Sequence, residues 1–221
     1  MYLVDFITHI DVHLFELIQD YGFWIYAILF LIIFIETGLV FMPLLPGDSL
    51  LFAAGTFCAG IQIDDKISQL NIWLVLALLM IAAILGDGLN FWIGKTFGRK
   101  LVQYNLGKIP LLKEKHLKQT QSFFERHGAM TIVLARFVPI VRTFAPFTAG
   151  LARMPYKGFV KFNIVGGVLW ILTLTLLGFF FGNLPIVRQN FESVIFGIIG
   201  LSVLPMLIAY IRSRGVKRKN P

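Results

Sequence analysis

Residues 36–55 read ETGLVFMPLLPGDSLLFAAG, and how this stretch is read decides the fold. It closes the apolar run ILFLIIFIE at 28–36, brings in two acids, Glu36 and Asp48, and is broken by Pro43, Pro46 and Gly47. Proline removes a backbone donor and glycine loosens the chain, so a helix is not expected to run through PLLPGD. An apolar arm at 21–42 precedes the break. The arm after it, 49–60, has about a dozen residues, too few to cross ~30 Å of hydrocarbon as helix. A re-entrant hairpin over 21–60 is therefore expected instead of two crossings. Irregular backbone at that depth is tolerated only where protein buries it or water reaches it.

A second stretch repeats the theme. In HGAMTIVLARFVPIVRTFAPFTAGLARM at 127–154, an arm runs to Phe137, a break is expected at PIVRTFAP, and a short arm runs to Met154. PLLPGDSLLFAAG and PIVRTFAPFTAG both run from a proline to Phe-x-Ala-Gly, with one residue of offset. Pro43, Pro46, Gly47, Pro139 and Pro146 are read as shaping these hairpins, and Gly55 and Gly150 as allowing close helix contact. Spanning helices are expected at 71–94 and 159–182, with glycines twelve apart at Gly86 and Gly98, then Gly166 and Gly178.

Composition sets the solvent. The 221 residues are 57% hydrophobic and 14% charged, with mean hydropathy +0.78. Soluble domains carry roughly 25% charged residues, so the chain is read as one all-α integral membrane domain. No Lys or Arg precedes Lys66, whereas Asp5, Asp11, Glu16 and Asp20 make the start acidic. Basic residues gather between Lys95 and Arg126 and again from Arg212 to Lys219, which the positive-inside rule places in the cytoplasm. Topology and anionic lipid heads account for the basic tail without nucleic acid. The expected order is an interfacial helix at 1–20, the first hairpin, and the crossing at 71–94. A basic connector at 95–127 follows, with a surface helix at 111–127. The second hairpin spans 128–155, crossings follow at 159–182 and 191–211, and a cytoplasmic tail occupies 212–221. This path makes the hairpins enter from opposite faces, an inverted repeat such as many secondary transporters use, with sites where broken helices meet near the midplane.

The blocks at 36–55 and 127–154, with GDGLNFWIGKTFG at 86–98, resemble the DedA family of bacterial inner-membrane proteins, also called the SNARE-associated or VTT domain. The likeness covers nearly the whole chain. It implies movement of polyprenyl-phosphate carriers or phospholipids between leaflets of the bacterial inner membrane, dependent on the proton-motive force. It also implies functional acids at Glu36 and Asp48 and functional arginines at Arg136 and Arg142. Asp87 lies in the more variable middle block and is a possible addition.

The residues themselves leave two roles open for the arginines. A guanidinium is permanently charged and offers a planar fork suited to phosphate, so Arg136 and Arg142 suit a lipid phosphate; the resemblance implies undecaprenyl phosphate first, with a phospholipid such as phosphatidylethanolamine as the alternative. Alternatively they neutralise Glu36 and Asp48 as structural pairs. The acids are read either as proton carriers coupling transport to the pH gradient or as hinge-fixing partners. A further alternative for Asp48 is that it caps the second arm. Cys58, the only cysteine, is read as packing, and Trp24, Trp73, Trp92 and Trp170 as packing or interfacial anchors. His9, His13, His116 and His127 lie near expected surfaces away from any acid cluster, so no metal and no cofactor is expected. No membrane-depth histidine stands ready as a base, which argues against a lipid phosphatase. A non-transporting scaffold would not need four buried charges.

Overall fold

The computed structural model describes residues 22–39, 47–63, 66–103 and 124–182, together with 184 and 197. The interfacial helix expected at 1–20, Pro43 and Pro46, residues 104–123 of the connector, and the tail lie outside them. So do, but for single residues, the loop at 183–190 and the crossing at 191–211. The described chain is helical apart from one small β-hairpin. Its helices are α1 (Trp24–Gly38), α2 (Gly47–Cys58), α3 (Ile72–Gln103), α4 (Thr131–Ala135), α5 (Pro139–Leu151) and α6 (Tyr156–Phe181). Two of them are long and apolar enough to cross a membrane, over Ile72–Gly98 and Tyr156–Phe181.

These long helices are inverted relative to those of a water-soluble protein. On α3 the outward residues are Trp73, Ile81, Leu85 and Trp92, while Asp87 and Asn90 are buried. On α6, Val165, Leu169 and Phe180 face out, and Asn163 and Thr175 face in. Exposed apolar surface of this extent suits lipid. Helix α3 runs nine residues past the boundary expected at Gly94. Its 32 residues give about 48 Å, more than the ~30 Å hydrocarbon layer, and the surplus carries Lys95, Arg99 and Lys100 toward the basic connector. At its start Asn71 acts as N-cap, its Oδ1 accepting from the amides of Trp73 at 3.0 Å and Leu74 at 3.2 Å.

The chain divides into two compact units of non-contiguous segments, Met1–Ile28, Pro46–Val75 and Thr173–Pro221 in one, Leu29–Leu45 and Leu76–Leu172 in the other. In the first, α2 lies against the last turns of α6 with no side chain between them at the glycines. A Cβ on Gly55 would overlap the Thr175 carbonyl, one on Gly178 the Phe52 carbonyl, and one on Gly182 the Thr56 hydroxyl. The β-hairpin pairs β1 (Ile61–Ile63) with antiparallel β2 (Lys66–Ser68), where only a connector was expected. Its alternating IQI and KIS triplets are too short to be distinguished from loop by period alone.

The second unit shows the same style of contact. A Cβ on Gly150 would overlap the Phe91 carbonyl, one on Gly94 the Phe147 carbonyl, and one on Gly98 would press on Leu151. Beside this seam lies an apolar core of Phe91, Ile132, Ala135, Val141, Ala145, Ala149 and Phe159. Gly86 admits Phe34 and Thr37 of α1, and Gly166 admits Val133 and Arg136. Gly98 and Gly178, expected as counterparts, make different contacts. Gly178 does on α6 what Gly94 does on α3, and Gly98 matches Gly182, one helical turn along.

The second break also lies earlier than expected. Arg136, Phe137 and Val138 form a turn of i→i−3 bonds, and Val138 is extended, as a residue before proline must be. Pro139 then begins α5, where its missing N–H and fixed φ suit a first turn. PIVRTFAP is thus helical, with Pro146 inside the helix. Around the first break, α1 ends at Gly38 and α2 begins at Gly47, and residues 40–46 lie outside the described ones.

Candidate functional site

Four charged residues of the second unit, Glu36, Asp87, Arg136 and Arg142, turn inward, each for a local reason. In α1 the buried stripe is Ile25, Leu29, Ile33 and Glu36, so periodicity places the carboxyl on the face that leaves lipid. Asp87 and Asn90 share the inner face of α3 at i, i+3 spacing. Arg136 sits in the turn after α4, and Arg142 one turn into α5, so the break lets the two side chains converge.

They converge on Trp170. The guanidinium carbon of Arg142 lies 5.5 Å from the centre of its ring and that of Arg136 5.8 Å, both within cation–π range. Each arginine also holds one carboxylate. Arg142 Nη2 donates to Glu36 Oε1. Arg136 Nη2 donates to Asp87 Oδ2 at 2.5 Å and to Asn163 Oδ1 at 2.6 Å. Asn163 in turn donates from Nδ2 to the Ile84 carbonyl at 3.0 Å, which fixes its own orientation. Two cations and two anions leave the cluster neutral. Glu36, Asp87 and Arg136 are buried, Glu36 to 1% and Arg136 to 5% exposure, while Arg142 is partly buried. Arg136 Nε nevertheless has no hydrogen-bond partner among the described residues.

The space these groups share is small. Glu36, Thr37, Asp87, Arg136, Arg142, Thr143 and Trp170 line a cavity of about 10 Å³, at the threshold for a single water and too small for a phosphate. In this arrangement the carboxylates occupy the guanidiniums.

Four sequence-predicted residues, Glu36, Asp87, Arg136 and Arg142, come together here. Asp48 belongs to the other unit. It is half-buried in the first turn of α2, where a helix end favours an anion, at the second helical position and not at the cap. The partner of Arg136 is Asp87, which had the weaker claim. Of the two readings of the tryptophans, packing or interfacial anchor, Trp170 takes the first, for unlike the exposed Trp24, Trp73 and Trp92 it is buried, here beside the charges. Asn163 and Thr37 carry no signal in the sequence, Thr143 carries none beyond a hydroxyl without an activating base, and only the i, i+3 spacing from Asp87 marks Asn90. Among the described residues no three His, Cys, Asp or Glu side chains group as metal ligands.

The VTT domain model matches residues 45–180. The chain belongs to the VTT-domain family. Members of this family similar to the chain include Protein DedA of Escherichia coli K12, 51% identical over 96% of this chain and 94% of that protein. An uncharacterized membrane protein of Mycobacterium leprae is 44% identical over 85% and 82%. The inner membrane protein YghB of Escherichia coli K12 is 32% identical over 77% and 74%. No solved structure matches the chain. The VTT match takes in α2 through nearly all of α6, and so Asp48, Asp87, Arg136 and Arg142, while Glu36 precedes it.

Proposed function

We propose that this VTT-domain membrane protein is a proton-coupled flippase for an anionic lipid carrier of the undecaprenyl phosphate type. It would act in the bacterial inner membrane with its C-terminus cytoplasmic. The observation that carries the reading is the convergence of Arg136 and Arg142 on Trp170, each holding a carboxylate. Two guanidinium forks around one buried cavity suit a phosphate, and each carboxylate competes for the same donors. Protonating one acid frees one guanidinium, and a phosphate monoanion then restores neutrality. Release of the proton would return the carboxylate to its arginine and expel the headgroup. The 10 Å³ cavity fits the closed, ligand-free step of such a cycle.

The architecture supports the same reading. Helices α2 and α5 have 12 and 13 residues, about 18–20 Å each, so re-entrant arms suit them better than crossings. An internal repeat is supported by the glycine contacts, in which Phe52, Gly55 and Thr56 play the parts of Phe147, Gly150 and Leu151. On the long helices Thr175, Gly178, Phe179 and Gly182 play those of Phe91, Gly94, Lys95 and Gly98. Inner-membrane placement is supported by the name of the relative YghB, and a cytoplasmic C-terminus by the basic tail. No covalent chemistry is assigned to the site.

The second reading is a phospholipid flippase or scramblase, with phosphatidylethanolamine as its test case, since its headgroup offers the same phosphate. Reconstitution into liposomes with labelled undecaprenyl phosphate or phosphatidylethanolamine, with and without a pH gradient, separates the two. Transport of the first, accelerated by the gradient and abolished by Glu36→Gln, is expected. Arg142→Lys keeps the charge but loses the fork and is expected to reduce transport strongly. Full, gradient-sensitive transport by both variants would overturn the reading.

A further inference from the structure

Asn90 takes part in neither ion pair, yet it is fully buried on the same face of α3 as Asp87. Its single amide nitrogen donates two hydrogen bonds, to the Thr143 carbonyl at 2.9 Å and to the Thr37 carbonyl at 3.2 Å. Both acceptors are backbone atoms of the residues that directly follow Arg142 and Glu36 in the chain. Thr37 is the penultimate residue of α1, where a helix end leaves carbonyls without internal donors. Thr143 lies in α5 next to Arg142, the residue whose carbonyl loses its helical donor at Pro146. One rigid amide therefore ties the end of α1 that carries Glu36 to the turn of α5 that carries Arg142.

The geometry points to Asn90 as the positioning residue for the Glu36–Arg142 pair. We propose that its two N–H groups fix the spacing between the backbones that carry the two charges. Arg142 can then exchange Glu36 for a phosphate by moving its side chain alone. The amide does not titrate, so this frame persists whether Glu36 is charged or neutral. Asn163 supplies a comparable fixed point for Arg136, by direct contact with the guanidinium. The proposal rests on the reading of Arg142 as a phosphate ligand, and its test separates the two.

The test uses the full chain with Asn90→Leu, which keeps the branching and heavy-atom count of asparagine and lacks the donors, in proteoliposomes with labelled undecaprenyl phosphate. The apparent KM is expected to rise about tenfold with Vmax within about twofold, the signature of a displaced ligand group. In an Arg142→Gln background the same substitution should add less than about twofold, because the group it positions is gone. A full tenfold addition there, or an unchanged KM in the otherwise native chain, would overturn the proposal. Fluorine NMR of 5-fluorotryptophan protein supplies a readout independent of transport. The Trp170 resonance, assigned by its loss in Trp170→Phe, should shift in Asn90→Leu while those of Trp24 and Trp73 stay in place. An unmoved Trp170 signal would equally sink the idea. If Asn90→Leu does not fold, Asn90→Ser decides by the same measurements, with an intermediate shift expected and native behaviour contradicting it. Should the native chain move no lipid phosphate, the transport reading falls while the fluorine result still judges the positioning role.

Discussion

Replacing Asp87 by asparagine should destabilise the protein by about 3 kcal/mol, and replacing Arg136 by methionine in the same chain should recover most of that loss. The magnitude follows from burial. The side chains of Arg136 and Asp87 are 5% and 6% exposed, so the pair belongs with buried ion pairs and not with surface ones. Breaking a buried pair by removing one partner costs about 3–5 kcal/mol, against ~0–1 kcal/mol for an exposed pair. Arginine does not deprotonate, so the stranded charge has no escape by neutralisation. Asn163, at 2.6 Å from Arg136 Nη2, still accepts one hydrogen bond and holds the loss near the lower end of the range. With methionine at 136 no charge is left in place, and apolar replacement of a buried pair is often neutral. Reversible unfolding in mixed detergent–SDS micelles, followed by far-UV circular dichroism at 25 °C, measures all four corners of the cycle. A loss below about 1 kcal/mol for Asp87→Asn, or strict additivity in the double variant, would refute the reasoning.

Three further outcomes follow from contacts already described. Gly150→Ala should abolish folding or accumulation, because its methyl would overlap the Phe91 carbonyl. Gly88→Ala, whose nearest neighbour would be the Tyr156 hydroxyl at 3.9 Å, should accumulate normally on an immunoblot of membranes. Trp170→Leu should cost about 1–3 kcal/mol through loss of two cation–π contacts, whereas Trp170→Phe should cost less, as the same unfolding assay would show. Asn71→Ala removes the cap of α3 and should lower stability by about 1 kcal/mol, read as a reduced thermal midpoint in detergent.

Much of the scaffold was legible because membrane helices announce themselves by length and apolarity. Residues 71–94 and 159–182 fall almost wholly within α3 and α6, and the motif ending in Gly55 or Gly150 gave the sites of backbone-to-backbone approach. The boundaries were less legible. Proline was taken as the place where a helix breaks, but Pro139 begins one and Pro146 sits within it, since proline restricts the residue before it as well as its own turn. Charges at membrane depth stood out by their cost, which is why Glu36, Arg136 and Arg142 could be named. Which acid meets which arginine was not legible, because pairing depends on which helix faces meet across the fold. Asp87 and Trp170 reach the cluster from α3 and α6, far away in sequence, and Asn90 acts on backbone atoms that no side-chain pattern reveals.

The two ion pairs also constrain how the protein is made. Glu36 and Arg142 are 106 residues apart, and Asp87 and Arg136 are 49 apart. Both acids thus leave the ribosome before either arginine exists. At ~5–20 residues per second, Glu36 waits about 5–20 s for its partner, while an ionised side chain at bilayer depth costs about 2.5–3.5 kcal/mol. Neither carboxylate meets its guanidinium until the chain through Arg136 and Arg142 has been translated. Assembly of the charged centre is thus a late event in biogenesis, and a ribosome stalled before residue 136 would hold a membrane intermediate with neither pair formed.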